Sequence, residues 1–274
     1  MSAIRTTASS IGCRVAQPLT DKVALVTGSS RSIGAAIAQR LADDGARVIV
    51  NYRSDSAGAA SVCAGINDRH GDGTAVTVQG DASTVIGAQA IVHKSLQAFG
   101  SNKLDIVVLN AGVGDYKPLA EATEEQFDYQ FNTNVKGPVF LVKALEPHLV
   151  EGGRVAFLSS AYTLASRPSI NVLFYLATNG AIEQIMRVLA RDLGRRMVTV
   201  NAVAPGIVAN EKFYRTRDPS TDSGRNEVEQ IAKQSPMNDL CKPQNVASVV
   251  AFLAGPDSRW ISGQVIYATG ASDV

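Results

Sequence analysis

Tyr175 precedes Asn179 by four residues in the segment FYLATNGAIEQ, residues 174–184. Apolar residues recur at helical spacing after this point, which predicts a helix that carries both side chains on one face. A phenol has an unperturbed pKa of about 10, so it can donate a proton near neutral pH but is a poor base unless a positive charge stabilises the phenolate. Asparagine offers hydrogen bonds and no charge. The pair therefore predicts a side chain that can give up a proton more readily than it can accept one.

A second segment, VALVTGSSRSIGAAIAQRLADDGARVIVNYRS at 23–54, has the pattern of a strand, a small-residue turn, a helix and another strand. Such a turn points backbone N–H groups and the positive end of the helix dipole at a phosphate. The pattern predicts a dinucleotide pyrophosphate at the turn residues Gly28, Ser30, Arg31, Ser32, Ile33 and Gly34. The alternative is a tight turn that binds no ligand.

The end of the second strand indicates which dinucleotide binds. Sites selective for NAD place an Asp or Glu there to hold the ribose 2′-hydroxyl, whereas NADP sites replace that acid. This strand ends at Asn51, and no acid precedes Asp55. Arg31 and Arg53 could hold a 2′-phosphate through paired hydrogen bonds. The pattern favours NADP(H), although either arginine alone could equally be a solvated surface residue.

The turn TGSSRSIG resembles the TGxxxGxG turn of the short-chain dehydrogenase/reductase family, with Ser32 in place of the middle glycine. Other motifs of this family extend the resemblance over nearly the whole chain from residue 22 onward. They are GDAS at 80–83, LNAGV at 109–113, NTNVKGP at 132–138 and VNAVAPGIVAN at 200–210. The resemblance implies cofactor contacts, with Asp81 at the adenine ring, from Asp81, Ala82, Asn110, Ala111, Gly112, Pro205, Gly206, Val208 and Asn210.

The same resemblance implies a catalytic set. Tyr175 aligns with the family's tyrosine, Asn134 with its asparagine and Ser160 with its serine, Ser159 being the less favoured candidate. The family places a lysine four residues after the tyrosine, where it holds the nicotinamide ribose and lowers the tyrosine pKa, and that position is Asn179 here. We expect a catalyst weaker by about 10²-fold or more if the whole general-acid contribution suffers. Cations that could substitute, each of which could equally be a solvated surface lysine, are Lys117, Lys136 and Lys212.

Strand and helix patterns alternate along the chain and would position these residues. The predicted strands are Val23–Thr27, Arg47–Asn51, Ala75–Gln79, Asp105–Asn110, Arg154–Ser159, Val198–Val203 and Gln264–Ala268. The predicted helices span 33–44, 56–70, 84–99, 123–149, 174–195 and 243–254. The alternation predicts an α/β fold, a single-domain Rossmann-like doubly wound parallel sheet of about seven strands with helices on both faces.

Two segments fall outside this alternation. Residues 1–20 contain Arg, Ser and Thr and no acid, which faintly resembles a mitochondrial transit peptide, but we predict a disordered extension of a single domain at 21–274. Residues 206–242 are polar, contain Pro219 and Gly224, and carry the pattern of a short helix at 226–234. They follow a strand, so we predict a substrate lid at the carboxyl edge of the sheet.

Bulk composition narrows the function classes. The 274 residues are 45% hydrophobic with a net charge of +1, which gives no electrostatic footprint for nucleic acid or an acidic membrane surface. No apolar run is long enough to cross a bilayer. The scattered Cys13, Cys63 and Cys241 predict inert thiols in a reducing, cytoplasmic location and no metal site. The family resemblance implies a homo-oligomer, either a tetramer or a dimer.

Three functions are compatible with the sequence. The favoured one is an NADPH-dependent carbonyl (keto) reductase of a small-molecule pathway, secondary metabolism among the candidates, in which Tyr175 and Ser160 polarise the substrate carbonyl. The alternatives are a non-redox enzyme on the same fold, such as an isomerase, cyclase or dehydratase, and a non-catalytic partner subunit. Side chains that could contact an apolar substrate are Tyr116, Tyr162 and Phe213, with Leu164 and Tyr214 beside them.

Overall fold

The computed structural model of the protein describes residues 17–272. Most of the predicted N-terminal extension, with Cys13, lies outside the described residues. Leu19 belongs to the folded domain, because its side chain is buried in the core and its N–H donates to the Asp44 carbonyl at 2.9 Å. The domain therefore begins before residue 21.

Parallel strands form one sheet at the centre of the molecule. They are β1 Val23–Val26, β2 Arg47–Tyr52, β3 Ala75–Gln79, β4 Leu104–Leu109, β5 Leu149–Leu158, β6 Thr199–Pro205 and β7 Val265–Ala268. Within the described chain the order is β3-β2-β1-β4-β5-β6-β7. After β3 the chain returns across the sheet to β4, so the strand order reverses between β1 and β4. Doubly wound sheets bind ligands in the crevice at that point, outside the carboxyl ends of the strands.

Helices cover both faces of this sheet. They are α1 Ser32–Asp43, α2 Ser56–His70, α3 Val85–Ala98, α4 Glu124–Phe131, α5 Gly137–Leu145, α6 Leu173–Leu193, α7 Glu211–Thr216, α8 Asp222–Ala232 and α9 Pro243–Ala254. One core layer packs α1, α2 and α9 on the sheet, and the other packs α3, α5 and α6 on the opposite face. Strands buried on both faces read as continuous apolar runs. The predicted doubly wound α/β fold is confirmed.

The long helix predicted at 123–149 is interrupted twice. A π-helical turn at Asn132–Lys136 separates α4 from α5, and a 3-10 turn at Glu146–His148 follows α5. β5 then starts at Leu149 instead of the predicted Arg154. Pro147 lies in the 3-10 turn, where its missing N–H cannot continue the helical hydrogen bonds. Short π-helical turns inside α-helices frequently occur at functional sites.

The segment 206–242 contains two helices, of which the sequence predicted one. Asn210 begins α7, because its side-chain oxygen accepts from the Phe213 N–H at 3.0 Å. Thr221 begins α8 in the same way, and this helix starts before the predicted residue 226. Gly224 lies in the first turn of α8, where a Cβ would approach the Asp218 carbonyl oxygen to 1.9 Å. That glycine permits a close backbone contact and does not break the helix.

The sequence predicted neither a membrane-spanning segment nor a metal site. No helix among residues 17–272 is both long enough and apolar enough to cross a bilayer. The same residues contain no group of three or more His, Cys, Asp or Glu side chains that could hold a metal ion. Burial raises the pKa of the Cys63 thiol to about 11 and also raises the pKa of Cys241. Both thiols therefore stay protonated near neutral pH and react slowly.

Candidate functional site

The turn after β1 is shaped by close backbone contacts. A Cβ on Gly34 would lie 2.5 Å from both the Gly28 carbonyl oxygen and the Asn110 Nδ2, and Gly28 itself has a φ of +62°. Asn110 Nδ2 donates to the carbonyl oxygens of Thr27 and Gly28 at 2.9 and 3.1 Å. The Thr27 hydroxyl oxygen accepts from the backbone N–H groups of Asn110 and Ala111, at 3.0 Å each. These bonds join the ends of β1 and β4, and the close contacts leave no room for a side chain at position 34.

A cavity of about 590 Å³, which we name the turn cavity, lies over this turn. Its volume falls within the range of about 300–1,000 Å³ that is typical of small-molecule sites. Fourteen of the predicted cofactor residues line it: Gly28, Ser30, Arg31, Ser32, Ile33, Gly34, Asn51, Arg53, Asp81, Ala82, Asn110, Ala111, Gly112 and Asn210. The structure thus brings together motifs from five separate parts of the chain around one cavity.

Asn51, at the end of β2, links backbone segments in the wall of the turn cavity through its side-chain hydrogen bonds. Its side chain is buried, and its Oδ1 accepts from the Gly28 N–H at 3.3 Å. Its Nδ2 donates to the carbonyl oxygens of Val78 and Gly80 at 3.1 and 3.3 Å. The amide is therefore occupied by backbone groups, and it ties the turn to the end of β3.

Asp55 is a charged residue in the wall of the turn cavity for which no role was predicted. Its carboxylate caps α2 by accepting from the Gly58 N–H at 3.0 Å, and it pairs with the Arg31 guanidinium at 3.4 Å. The Gly58 N–H, with smaller contributions from Ser30 and Arg31, holds the pKa of Asp55 below its ordinary value. This carboxylate is thus ionised at neutral pH. The signal was available, since Asp before a helical segment is a common N-cap.

Ser32 adopts a φ of +55°, in the left-handed region that favours glycine. We expect Ser32→Gly to raise the free energy of unfolding by about 1 kcal/mol, because the left-handed conformation costs an L-residue roughly 1–2 kcal/mol and glycine almost nothing. Thermal unfolding would measure the gain. The control Ser32→Ala keeps a Cβ and should show no gain. A lower unfolding temperature for Ser32→Gly would contradict the prediction.

A second cavity of about 280 Å³, the junction cavity, continues from the turn cavity to α6. Tyr175, Thr178 and Asn179 line it, with Asn134 from the π-helical turn. Asn134 Oδ1 accepts from the Val113 N–H at 2.8 Å, and its Nδ2 donates to the Val113 carbonyl at 2.8 Å and the Thr178 hydroxyl at 3.1 Å. Asn134 therefore clamps the loop after β4 to α6.

The Asn179 side chain is buried, and its amide hydrogen-bonds the backbone of its own helix, α6. Its Nδ2 donates to the Tyr175 carbonyl oxygen at 2.8 Å. The amide supplies no charge to the junction cavity. Of the three lysines proposed as substitutes, only Lys212 lines this cavity. Lys117 is half-buried and forms a β-bridge with Val172, while Lys136 is exposed.

A third cavity of about 310 Å³, the outer cavity, lies on the other side of Tyr175. Ser160, Tyr162, Pro205 and Gly206 line it together with Tyr175. The Ser160 hydroxyl oxygen accepts from the Tyr162 N–H at 3.3 Å, and the Tyr162 hydroxyl oxygen accepts from the Ser169 N–H at 3.1 Å. These contacts fix the loop between the serine and the tyrosine.

The Ser159 hydroxyl is already hydrogen-bonded to a buried carboxylate, which favours Ser160 as the serine that faces a ligand. The Ser159 hydroxyl donates to Glu183 Oε1 at 2.7 Å, and the Thr163 hydroxyl donates to the same oxygen at 2.9 Å. Glu183 is buried on α6, and the sequence analysis did not identify it. Its position four residues after Asn179, on the face that carries Tyr175, was the available signal.

Tyr116 separates the junction cavity from the outer cavity. Its ring packs edge-on against Tyr175 with centroids 5.4 Å apart, and both tyrosines line both cavities. Burial, with a smaller contribution from Tyr175, raises the pKa of Tyr116 to about 12. Tyr116 therefore remains a neutral phenol and a potential hydrogen-bond donor throughout the physiological pH range.

Four predicted contact residues do not line any of the three cavities: Val208, Phe213, Leu164 and Tyr214. Leu164 and Tyr214 are exposed. Phe213 is buried, with its ring against Tyr214 at 5.2 Å and under the Arg217 guanidinium at 5.0 Å. Val208 packs against the core and pairs with Cys241 in a β-bridge. The unexpected helix α7 explains the position of Phe213, because it turns this side chain inward. Asn210 caps that helix and still lines the turn and junction cavities.

Comparisons with known proteins agree with this architecture. A family model described as Enoyl-(Acyl carrier protein) reductase matches residues 28–270. An uncharacterized oxidoreductase of Methylorubrum extorquens is 41% identical over 252 residues, which are 92% of this chain and 98% of that protein. A probable tetrahydroxynaphthalene reductase of Zymoseptoria tritici is 38% identical over 259 residues, 93% of this chain and 95% of that protein. The angucycline C-6 ketoreductase LanV, whose crystal structure contains bound NADP, is 36% identical in sequence. Its structure matches this one with a TM-score of 0.82, and the match covers 93% of this chain and 96% of that chain.

Proposed function

The chain belongs to the short-chain dehydrogenase/reductase family, and from that premise we propose that it is an NADPH-dependent ketoreductase. The observation that carries the proposal is the place of Tyr175, between a cavity continuous with the nucleotide turn and a separate outer cavity shared with Ser160. The tetrahydroxynaphthalene reductase and the angucycline ketoreductase among its relatives support a ketone on an aromatic ring system as substrate.

The turn cavity has the features that NADP(H) requires. Position 34 has no room for a side chain, so backbone groups approach the cavity directly and would hold the pyrophosphate at the start of α1. Arg31 and Arg53 line the wall beside Asn51, where they would hold a 2′-phosphate. Asp55 offsets part of this positive charge, and the two arginines outnumber it. When bound, the reduced cofactor supplies a hydride to the substrate's carbonyl carbon.

The protein's own residues supply the proton and the orientation. The Tyr175 hydroxyl donates its proton to the carbonyl oxygen as that oxygen gains negative charge, and the Ser160 hydroxyl donates a hydrogen bond to the same oxygen. The O–H bond of Tyr175 breaks, a C–H and an O–H bond form on the substrate, and solvent returns a proton to Tyr175. Tyr116 and Tyr162 form the aromatic wall against which the substrate lies.

The proposal is tested by binding and turnover with the wild-type protein. Fluorescence titration should show NADPH binding, and absorbance should show its oxidation with at least one member of a panel of aromatic-ring ketones. Absence of NADPH binding would refute the ketoreductase. The uncharged Asn179 supports a non-redox enzyme as the second candidate, and consumption of a ketone without NADPH oxidation would establish it.

Arg53→Ala tests the cofactor preference. We expect the dissociation constant for NADPH to rise by about 10- to 100-fold, because a hydrogen bond to a charged group contributes about 1.5–3 kcal/mol, and we expect NADH binding to be unchanged. The matched control is Arg69→Ala, since Arg69 pairs with Asp43 on the surface and does not line the turn cavity. Equal weakening of NADPH and NADH would show that Arg53 holds no 2′-phosphate.

A further inference from the structure

Lys212 is the only charged side chain among the described residues that line the junction cavity. The remaining walls consist of backbone, apolar side chains, hydroxyls and amides, and Tyr175 is among them. Charged side chains of both signs line the adjoining cavities, and Glu211 and Arg215, which neighbour Lys212 on α7, line the turn cavity. Glu183 accepts hydrogen bonds from Ser159 and Thr163, and Asp239 lines the outer cavity. Lys212 is therefore the one source of positive charge inside the junction cavity.

The position of Lys212 is determined by the helix that carries it. Asn210 caps α7, and the buried ring of Phe213 anchors this helix to the body of the protein. Lys212, between these two residues, extends its ammonium over the Tyr116 ring, with Nζ 5.7 Å from the ring centroid. The same ring packs edge-on against Tyr175, with the centroids 5.4 Å apart. Lys212 and Tyr175 thus contact the same aromatic ring within one cavity.

No carboxylate among residues 17–272 forms an ion pair with this ammonium. By contrast, Arg217 and Lys233 in the same segment pair with Glu227 and Glu229. A positive charge near a phenol favours the phenolate form, and the effect is strongest where water is excluded. Closure of the cavity by a bound ligand would therefore strengthen the interaction between Lys212 and Tyr175.

We propose that Lys212 is a positioning residue that stabilises the negative charge left on the Tyr175 oxygen when its proton passes to the substrate carbonyl. The role rests on the proposed function, in which hydride reaches the carbonyl carbon and Tyr175 supplies the proton. It assigns to α7, distant in sequence from α6, the cation that position 179 lacks. Lys212 also lines the turn cavity, so a purely phosphate-binding role is the competing explanation.

Lys212 variants made in the wild-type protein and in the Asn179→Lys protein distinguish charge stabilisation at Tyr175 from phosphate binding. In the wild-type background we expect Lys212→Met to lower kcat by about tenfold or more with little change in KM, and Lys212→Arg to keep most of the activity. In an Asn179→Lys background, where a cation stands one helical turn from Tyr175, Lys212→Met should change kcat by less than about threefold. Lys233→Met, which removes a surface lysine paired with Glu229, is the control.

Two results would overturn the proposal. One is an equal loss of kcat in both backgrounds, and the other is a weaker affinity for NADPH with kcat unchanged. A measurement without cofactor keeps the test independent of turnover: the phenolate absorbance titration of Tyr175, taken as the difference from Tyr175→Phe, should move to higher pH in Lys212→Met. If the midpoint of this titration is the same in wild type and Lys212→Met, the proposed role of Lys212 is refuted. If the midpoint moves but neither the wild type nor any variant reduces a ketone, only the proposed ketoreductase function is refuted. Lys212→Gln serves as a second variant if Lys212→Met is unstable.

Discussion

Tyr175→Phe should lower kcat for ketone reduction by about 10²- to 10⁴-fold, the usual contribution of a positioned general acid. The substitution removes only the hydroxyl, and the edge-on contact of the ring with Tyr116 is retained. Affinity for NADPH should therefore be unchanged, so the loss appears in kcat and not in cofactor binding. Steady-state kinetics with a reducible ketone, together with fluorescence titration of NADPH, would measure both quantities.

Tyr162→Phe provides the comparison for that experiment. Tyr162 also lines the outer cavity, but its hydroxyl oxygen accepts from the Ser169 N–H and holds a loop. We expect a loss of less than about tenfold, in line with the net contribution of about 1 kcal/mol from one neutral hydrogen bond. Equal kcat for wild type and Tyr175→Phe would remove Tyr175 from the role of proton donor.

Gly34→Ala should abolish measurable NADPH binding at concentrations that saturate the wild type. The added Cβ would lie 2.5 Å from the Gly28 carbonyl oxygen and 2.8 Å from the Ser29 Cα, so the turn must move away from α1. Overpacking of this kind typically costs about 1–3 kcal/mol of stability, and here the displaced backbone is the proposed phosphate site. Fluorescence titration measures the binding, and thermal unfolding measures the stability.

The matched control is Gly65→Ala, another glycine-to-alanine change inside a helix. A Cβ at position 65 in α2 would meet nothing within 4 Å. Because alanine is the better helix former, this variant should gain about 0.5–1 kcal/mol and bind NADPH normally. Normal NADPH binding by Gly34→Ala would show that the turn tolerates a side chain and that the phosphate site lies elsewhere.

The elements with local signals were predicted well from the sequence. The bounds of α2 and α9 agree with the predicted 56–70 and 243–254, because Asp55 caps the first and Pro243 starts the second. The π-helical turn and α7 were not predicted. At the π-helical turn the relevant contact is tertiary, because a Cβ at Gly137, which directly follows this turn, would clash with the Ala82 carbonyl oxygen of a distant loop. The start of α7 had a local signal in its N-cap Asn210, which the prediction of a single helix at 226–234 did not use.

The candidate site shows the same division between local and tertiary information. The motif residues around Gly28, Asn110 and Tyr175 were assigned to one site through the family resemblance, and each lies at the carboxyl end of a strand or on the following helix. The environment of Lys212 was not predictable, since it depends on α7 lying beside Tyr116, a contact between segments far apart in the chain. The sequence therefore predicted a candidate proton donor and three candidate cations, and the fold was needed to select Lys212, which alone of the three lines the junction cavity.

The hydrogen bonds of the buried Asn51 amide limit how the preference for NADPH over NADH can be changed by mutation. An aspartate at this position is the obvious change toward NADH, yet both amide protons of Asn51 are donated to the carbonyl oxygens of Val78 and Gly80. A carboxylate would direct a negatively charged oxygen at those two carbonyls in a buried place, where an unsatisfied charge is strongly destabilising. A switch to NADH is therefore better introduced at the exposed Arg31 and Arg53, with position 51 kept as an amide so that the turn keeps its shape.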